Sequence, residues 1–99
     1  MLNRPYLSVV IPFYNERDNA KAVLEEVSAA LGPGGVSYEI IAVDDGSRDG
    51  TGDVLRECAG RDDRLVAIIL RKNFGQTAAL SAGIDHAVGS AIVTMDGDR

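Results

Sequence analysis

Apolar residues gather into four short runs, separated by segments with a different spacing. LSVVI at residues 7–11, YEIIAV at 38–43, LVAIIL at 65–70 and AIVTM at 91–95 are of strand length and rich in β-branched residues. They lack the strict polar alternation of half-exposed strands; the first two read as buried strands and the other two as further apolar strands, the fourth with nothing after it to cover its outer face. Pro12 is expected to stop the first, because proline cannot donate to a ladder. Between the runs the period changes. Ala20, Val23, Leu24, Val27, Ala30 and Leu31 recur at three- and four-residue intervals and mark one face of a first helix. Asn15 is its expected N-cap, with Asp18 in the first turn, and Gly32-Pro33-Gly34-Gly35 ends it. A second helix, capped by Asp49 or Thr51 and running to Ala59, would turn Val54, Leu55 and Cys58 inward. A third, from about Gln76 to Val88, carries Ala78, Ala79, Ser81, Ala82, Gly83 and Ala87, small side chains that let a helix backbone lie close to a sheet.

The alternation β-α-β-α-β-α-β with short connections predicts an α/β fold, a parallel sheet flanked by helices with right-handed crossovers; the expected strand order is 3-2-1-4. Residues 1–6 are a short polar lead-in, and residues 7–99 form the folded part. The chain stops one residue after an acidic strand tip, so the expectation is the N-terminal part of a longer protein.

The strand tips carry the chemistry. The second strand empties into Asp44 and Asp45, then Gly46-Ser47 and Asp49-Gly50. In open α/β sheets, ligands bind in the crevice outside the carboxyl ends of the strands. Pro12 to Glu16 follow the first strand at this same edge, and Asp96 and Asp98 follow the fourth. Residues two apart in an extended segment point to one side, so Asp96 and Asp98 can aim both carboxylates at one object. Carboxylates so crowded raise each other's pKa unless a cation neutralises them. A few hard oxygen ligands suit Mg²⁺ or Mn²⁺, which also take substrate phosphates as ligands. A diphosphate-bearing substrate held by a divalent ion follows. Blander readings stand beside this one: Asp44-Asp45-Gly46 as an acidic turn, Asp96 and Asp98 as a solvated chain end, and Tyr14 as a cover for the sheet edge. Arg71 and Lys72 at the third tip read as a solvated pair, His86 and Cys58 as structural residues.

Composition narrows the classes. Ninety-nine residues make one small domain at most, with 45% hydrophobic and 25% charged residues. A net charge of −5 argues against nucleic acid as a partner and against an electrostatically held membrane patch. No apolar run approaches the roughly 20 residues of a membrane span, and no signal-peptide pattern opens the chain. The single cysteine cannot form an internal disulfide, which fits a reducing compartment.

Four blocks, PFYNE, VDDGSRDGT, RKNFGQTAALSAG and MDGD, occur in this order from Leu7 onward. With them the chain resembles the inverting family-2 glycosyltransferases of the GT-A fold. Among these it is most similar to the polyprenyl-phosphate hexosyltransferases of the dolichyl-phosphate mannose synthase type. The resemblance implies a Rossmann-like nucleotide-sugar-binding half. It also implies transfer of a hexose, with inversion, from a nucleotide-diphospho-sugar to a polyprenyl (dolichyl or undecaprenyl) phosphate. Carried over residue by residue, it implies that Pro12, Tyr14 and Glu16 line the nucleotide pocket. It further implies that Val43 and Asp45 contact base and ribose with Asp44 beside them, and that Asp96 and Asp98 are the catalytic metal-holding pair around Gly97. Gly97 stands where the family usually has Ala, a sterically mild departure. The resemblance further implies a cytoplasmic enzyme at the cytoplasmic face of a membrane, attached only through parts beyond residue 99. Competing readings are a fragment that only binds nucleotide or metal, and a different α/β domain. A sugar nucleotidyltransferase would show a Gly-rich basic loop after the first strand, and a dinucleotide-binding domain a GxGxxG there. A receiver-like phosphoacceptor would need a lysine at a later strand tip.

Overall fold

The computed structural model describes residues 4–97 and carries the four apolar runs as one parallel sheet. Its strands are β1 (Leu7–Phe13), β2 (Tyr38–Asp44), β3 (Leu65–Ile69) and β4 (Ala91–Thr94). Their order is β3-β2-β1-β4, as expected. Three helices, α1 (Arg17–Leu31), α2 (Thr51–Arg61) and α3 (Gln76–His86), fill the connections, and a 3₁₀ turn, Gly32–Gly34, follows α1. The path from β1 to β3 moves steadily outward, whereas β3 to β4 runs back across the sheet. A constant right-handed crossover therefore places α3 on the face opposite α1 and α2.

Strand pleating divides the core accordingly. Val9, Ile11 and Phe13 of β1 join Ile40 and Ala42 of β2 under Ala20, Val23, Leu24 and Val27 of α1 and Leu55 of α2. Val10, Ile41 and Val43 face the other way, toward Ala79 of α3. Because β1 and β2 are covered on both faces, they read as continuous apolar runs, whereas β4 at the sheet edge leaves Ile92 and Val93 exposed. Helix α3 sits close to the sheet at Gly83, where an added Cβ would lie 2.3 Å from Val10 Cγ1. Cys58 is half-buried against the α1/α2 core, and burial pushes its thiol pKa up.

Three expectations need correction. Pro12 does not stop β1, which continues to Phe13 opposite Asp44 of β2. It ends only the pairing with β4, whose last ladder bond runs from Met95 N–H to Val10 O at 3.0 Å. The β1 bonds to β2 leave from odd positions such as Phe13, so the missing N–H of Pro12 falls on the β4 side. Asn15 is not the cap of α1. That position belongs to Glu16, which makes no side-chain cap bond, and Asn15 takes the left-handed conformation at φ 52°. For α2 the N-cap is Gly50, neither Asp49 nor Thr51, although Asp49 Oδ1 accepts the Thr51 N–H from one residue further out at 3.0 Å.

Candidate functional site

Helices on opposite faces diverge where strand order reverses, and the gap opens at the carboxyl ends of β1 and β4. There a cavity of about 330 Å³ is lined by Pro12, Phe13, Tyr14, Glu16, Asp45, Gln76, Asp96 and Gly97. Pro12 contributes to the opening directly: with no N–H to continue the ladder, β4 separates from β1 after Met95. The chain then lies back against β1 at Gly97, whose backbone is so close that an added Cβ would stand 2.3 Å from Pro12 O and 2.7 Å from Phe13 Cδ1. The exchange of the family's usual Ala for Gly97 is therefore not sterically mild here, since an alanine would displace this strand tip.

Asp45 is the first residue after β2 and has the parity of Val43, so it turns to the α3 face. It is 3% exposed, and three protein donors reach its carboxylate. Oδ1 accepts the Phe74 N–H at 2.9 Å, and Oδ2 accepts the Gly75 N–H at 3.1 Å and Asn73 Nδ2 at 3.0 Å. Asn73 Nδ2 also donates to Asp45 O at 3.1 Å. The β3–α3 loop thus hangs on this one side chain. Gly46 follows it at φ +70°, with no room for a Cβ against Lys72 C at 2.1 Å. Asp44 turns the other way, toward α2, and its Oδ1 accepts the Ser47 N–H at 3.2 Å. Val43 is 0% exposed within the core beneath α3. Neither Val43 nor Asp44 lines the cavity.

The segment bearing Tyr14 and Glu16 is held by the loop after β2. The N–H groups of Asn15, Glu16 and Arg17 donate in turn to Ser47 Oγ at 2.8 Å, Thr51 Oγ1 at 3.0 Å and Asp49 Oδ2 at 3.1 Å. In return, Asn15 Oδ1 accepts the Arg48 N–H at 3.0 Å. These bonds satisfy the start of α1, which carries no cap of its own. Burial tends to raise the pKa of Asp49, but the Thr51 hydroxyl and the N–H groups of Arg17 and Thr51 outweigh it and hold the carboxyl below its ordinary value. Glu16 Oε1 accepts Asn19 Nδ2 at 3.1 Å, and Tyr14 stands 47% exposed at the rim.

Of the residues singled out in the sequence, the cavity brings together Pro12, Tyr14, Glu16, Asp45, Asp96 and Gly97. Asp98 lies outside the described residues. Phe13 and Gln76 also line the cavity. Sequence reasoning singles out neither: Phe13 reads only as part of the Pro12 to Glu16 segment, and Gln76 only as the start of a helix. Arg71, Lys72 and His86 stay away from it, with Lys72 Nζ 5.2 Å above the Phe74 ring.

The charge of the cavity bears on what it can hold. Among the described residues, Glu16, Asp45 and Asp96 are its carboxylates and no Lys or Arg lines it. Nor do three His, Cys, Asp or Glu side chains converge into a metal cage among those residues. Asp45 is committed to the loop, whereas Asp96 at the β4 tip is exposed. One or two carboxylates completed by substrate phosphates are what a Mg²⁺-like ion takes, so the donor set fits such an ion bound together with a phosphorylated ligand.

A doubly covered parallel sheet with an acidic cavity at its switch point defines an α/β domain of the nucleotide-binding class. The chain belongs to the Glycosyl transferase family 2, whose model matches residues 8–99. It is 45% identical over 94 residues to the undecaprenyl-phosphate 4-deoxy-4-formamido-L-arabinose transferase of Edwardsiella ictaluri, covering 94% of this chain and 29% of that protein. To the Pseudomonas fluorescens protein of the same name it is 41% identical over 100 residues, with 96% and 29% covered. The mannosyltransferase PcManGT of Pyrobaculum calidifontis, solved in complex with GDP-Man and Mn2+, superimposes with a TM-score of 0.83 at 28% identity. That match covers 97% of this chain and 28% of PcManGT. TarS of S. aureus shares the fold at a TM-score of 0.77 and 23% identity, over 93% of this chain and 27% of its own. The chain spans under a third of the length of these relatives.

Proposed function

We propose that the protein is the donor-binding part of an inverting glycosyltransferase that moves a sugar from a nucleotide-diphospho-sugar to a polyprenyl phosphate. The observation that carries this reading is the cavity at the β1/β4 switch point, with three carboxylates and no cation among the described residues of its wall. Such a wall repels a diphosphate by itself and accepts one together with a divalent ion. The names of the relatives support the lipid-phosphate acceptor, and the complex of PcManGT supports a nucleotide-sugar donor and a divalent cation.

In this reading Pro12, Tyr14 and Glu16 form one wall of the donor site. Asp45 contributes to the wall mainly through the loop it holds, and Asp96, with Asp98 as its partner, holds Mg²⁺ or Mn²⁺. The cation, when bound, takes up charge on the leaving diphosphate. The acceptor needs no general base, because a phosphate monoester is already anionic at neutral pH. Its oxygen forms the new bond to the anomeric carbon while the bond from that carbon to the diphosphate breaks, and the nucleoside diphosphate leaves from the opposite side. That geometry inverts the centre. The acceptor-binding residues belong to other parts of the enzyme, and the reaction is placed at the cytoplasmic face of a membrane. Among the described residues no helix is long and apolar enough to cross one.

The test is sugar transfer by the intact protein from labelled nucleotide sugars to undecaprenyl phosphate, with Mn²⁺, with Mg²⁺ and with chelator. Transfer that requires the cation supports the reading. Full activity in chelator removes the metal from it, and binding of no nucleoside diphosphate removes the donor site.

A further inference from the structure

The GSRDGT stretch at residues 46–51, after β2, has a use that the donor-site reading does not assign to it. The carboxylate of Asp49 and the hydroxyls of Ser47 and Thr51 face the β1–α1 segment and stay out of the cavity wall. Thr51, the first residue of α2, is 0% exposed. Its hydroxyl donates to Asp49 Oδ1 and accepts the Glu16 N–H at 3.0 Å. The charged acceptor fixes the hydroxyl proton and so leaves a lone pair aimed at Glu16. Asp49 Oδ2 meanwhile accepts the N–H of Arg17, the first residue of α1, and Oδ1 accepts the N–H of Thr51. One carboxylate therefore joins the starts of two helices.

From this geometry we infer that Asp49 and Thr51 are positioning residues for the donor site, which set the wall made by Tyr14 and Glu16. The segment they hold is poorly determined by its own sequence. Asn15 adopts a left-handed conformation that a non-glycine residue seldom takes, and α1 begins with no side-chain cap from its own N-cap residue, Glu16. Without the latch, the N–H groups of Glu16 and Arg17 would need other partners, and the two side chains facing the cavity would lose their common reference. The inference rests on the reading of the cavity as the donor site.

The experiment pairs Thr51→Val, which keeps the shape and removes the hydroxyl, with Thr51→Ser, which keeps the hydroxyl. Amide hydrogen exchange at Asn15, Glu16 and Arg17 reports the latch. Calorimetric Kd for nucleoside diphosphate with Mn²⁺, together with donor and acceptor KM, reports its consequence. Thr51→Val should speed exchange at Glu16 and weaken donor binding by about five- to tenfold, the scale of one hydrogen bond. Acceptor KM should not change, and Thr51→Ser should return the Kd to within about twofold of wild type. Ser47→Ala, at the exposed end of the latch, should give a smaller effect of the same kind in a protein whose core is untouched. A Thr51→Val or Ser47→Ala protein with faster exchange but the wild-type Kd overturns the inference and leaves the donor site standing. A wild-type protein that binds no nucleoside diphosphate overturns the donor-site reading, and this inference with it.

Discussion

Asp45→Ala tests how the site is built, because that carboxylate has two roles that the substitution separates. The change removes the acceptor for the N–H groups of Phe74 and Gly75 and for Asn73 Nδ2. Hydrogen bonds to a charged group run at about 1.5–3 kcal/mol each, so the three would sum to about 4.5–9 kcal/mol if all were lost into a dry interior. The loop is not dry. Asn73 and Phe74 are exposed, so water replaces part of what the carboxylate supplied, and the net loss should be about 2–4 kcal/mol. That is a large fraction of the roughly 5–15 kcal/mol by which a domain is stable. Asp45→Asn keeps the shape but presents an NH₂ to backbone donors, and should lose about half as much. Urea unfolding gives the total, and amide exchange at Phe74 and Gly75 gives its location. Both amides should exchange faster in the alanine protein while those of Ile40 and Ile41 shift only by the global change. Slow exchange at Phe74 and Gly75 in Asp45→Ala would refute the anchoring role, and would return Asp45 to a contact with ligand alone.

Gly83→Ala should destabilise the fold by about 1–3 kcal/mol despite its better helix propensity, because the new methyl would press on buried Val10; thermal unfolding measures it. Asp96→Asn should weaken Mn²⁺-dependent donor binding by more than about tenfold and leave the melting temperature unchanged, since Asp96 is exposed; titration of donor with and without Mn²⁺ reads the difference. The pKa of Asp49 is depressed on folding, so its contribution is fully present above the unfolded value of about 3.9 and is lost as pH falls through the lower folded value. Asp49→Asn should therefore flatten the acid limb of stability against pH below about 4, and an unchanged acid limb would count against the latch.

The strands and helices were legible because they depend on regularities that act locally or universally. Run length and β-branching mark strands, three- and four-residue recurrence marks helices, and handedness decides which side each helix takes. The small residues of α3 likewise pointed to close packing, and Gly83 against Val10 is that contact. Pro12 was misjudged for a related reason. A missing N–H matters only on the side where a partner strand still runs, and which side that is depends on β4, some eighty residues further on.

The carboxylates were harder to assign, and the reason is physical. A charged residue at a strand tip meets its solvation needs either from a ligand or from N–H groups of the same chain, and the sequence near it looks the same in both cases. Strand parity separates Asp44 from Asp45, one turned to α2 and the other to α3. Parity alone does not say that Asn73, Phe74 and Gly75 arrive at Asp45, since their approach depends on the turn after β3. The same holds at Asp49 and Thr51, whose spacing suggested a cap for α2 alone. Their second set of partners, Glu16 and Arg17, lies some 35 residues earlier and meets them only because β1 and β2 pair in register from Leu7 and Tyr38 onward. Register thus turns a local capping motif into a joint between two strand tips. On this account the acidic stretch after β2 shapes the cavity more than it fills it, while Asp96 at the β4 tip stands exposed.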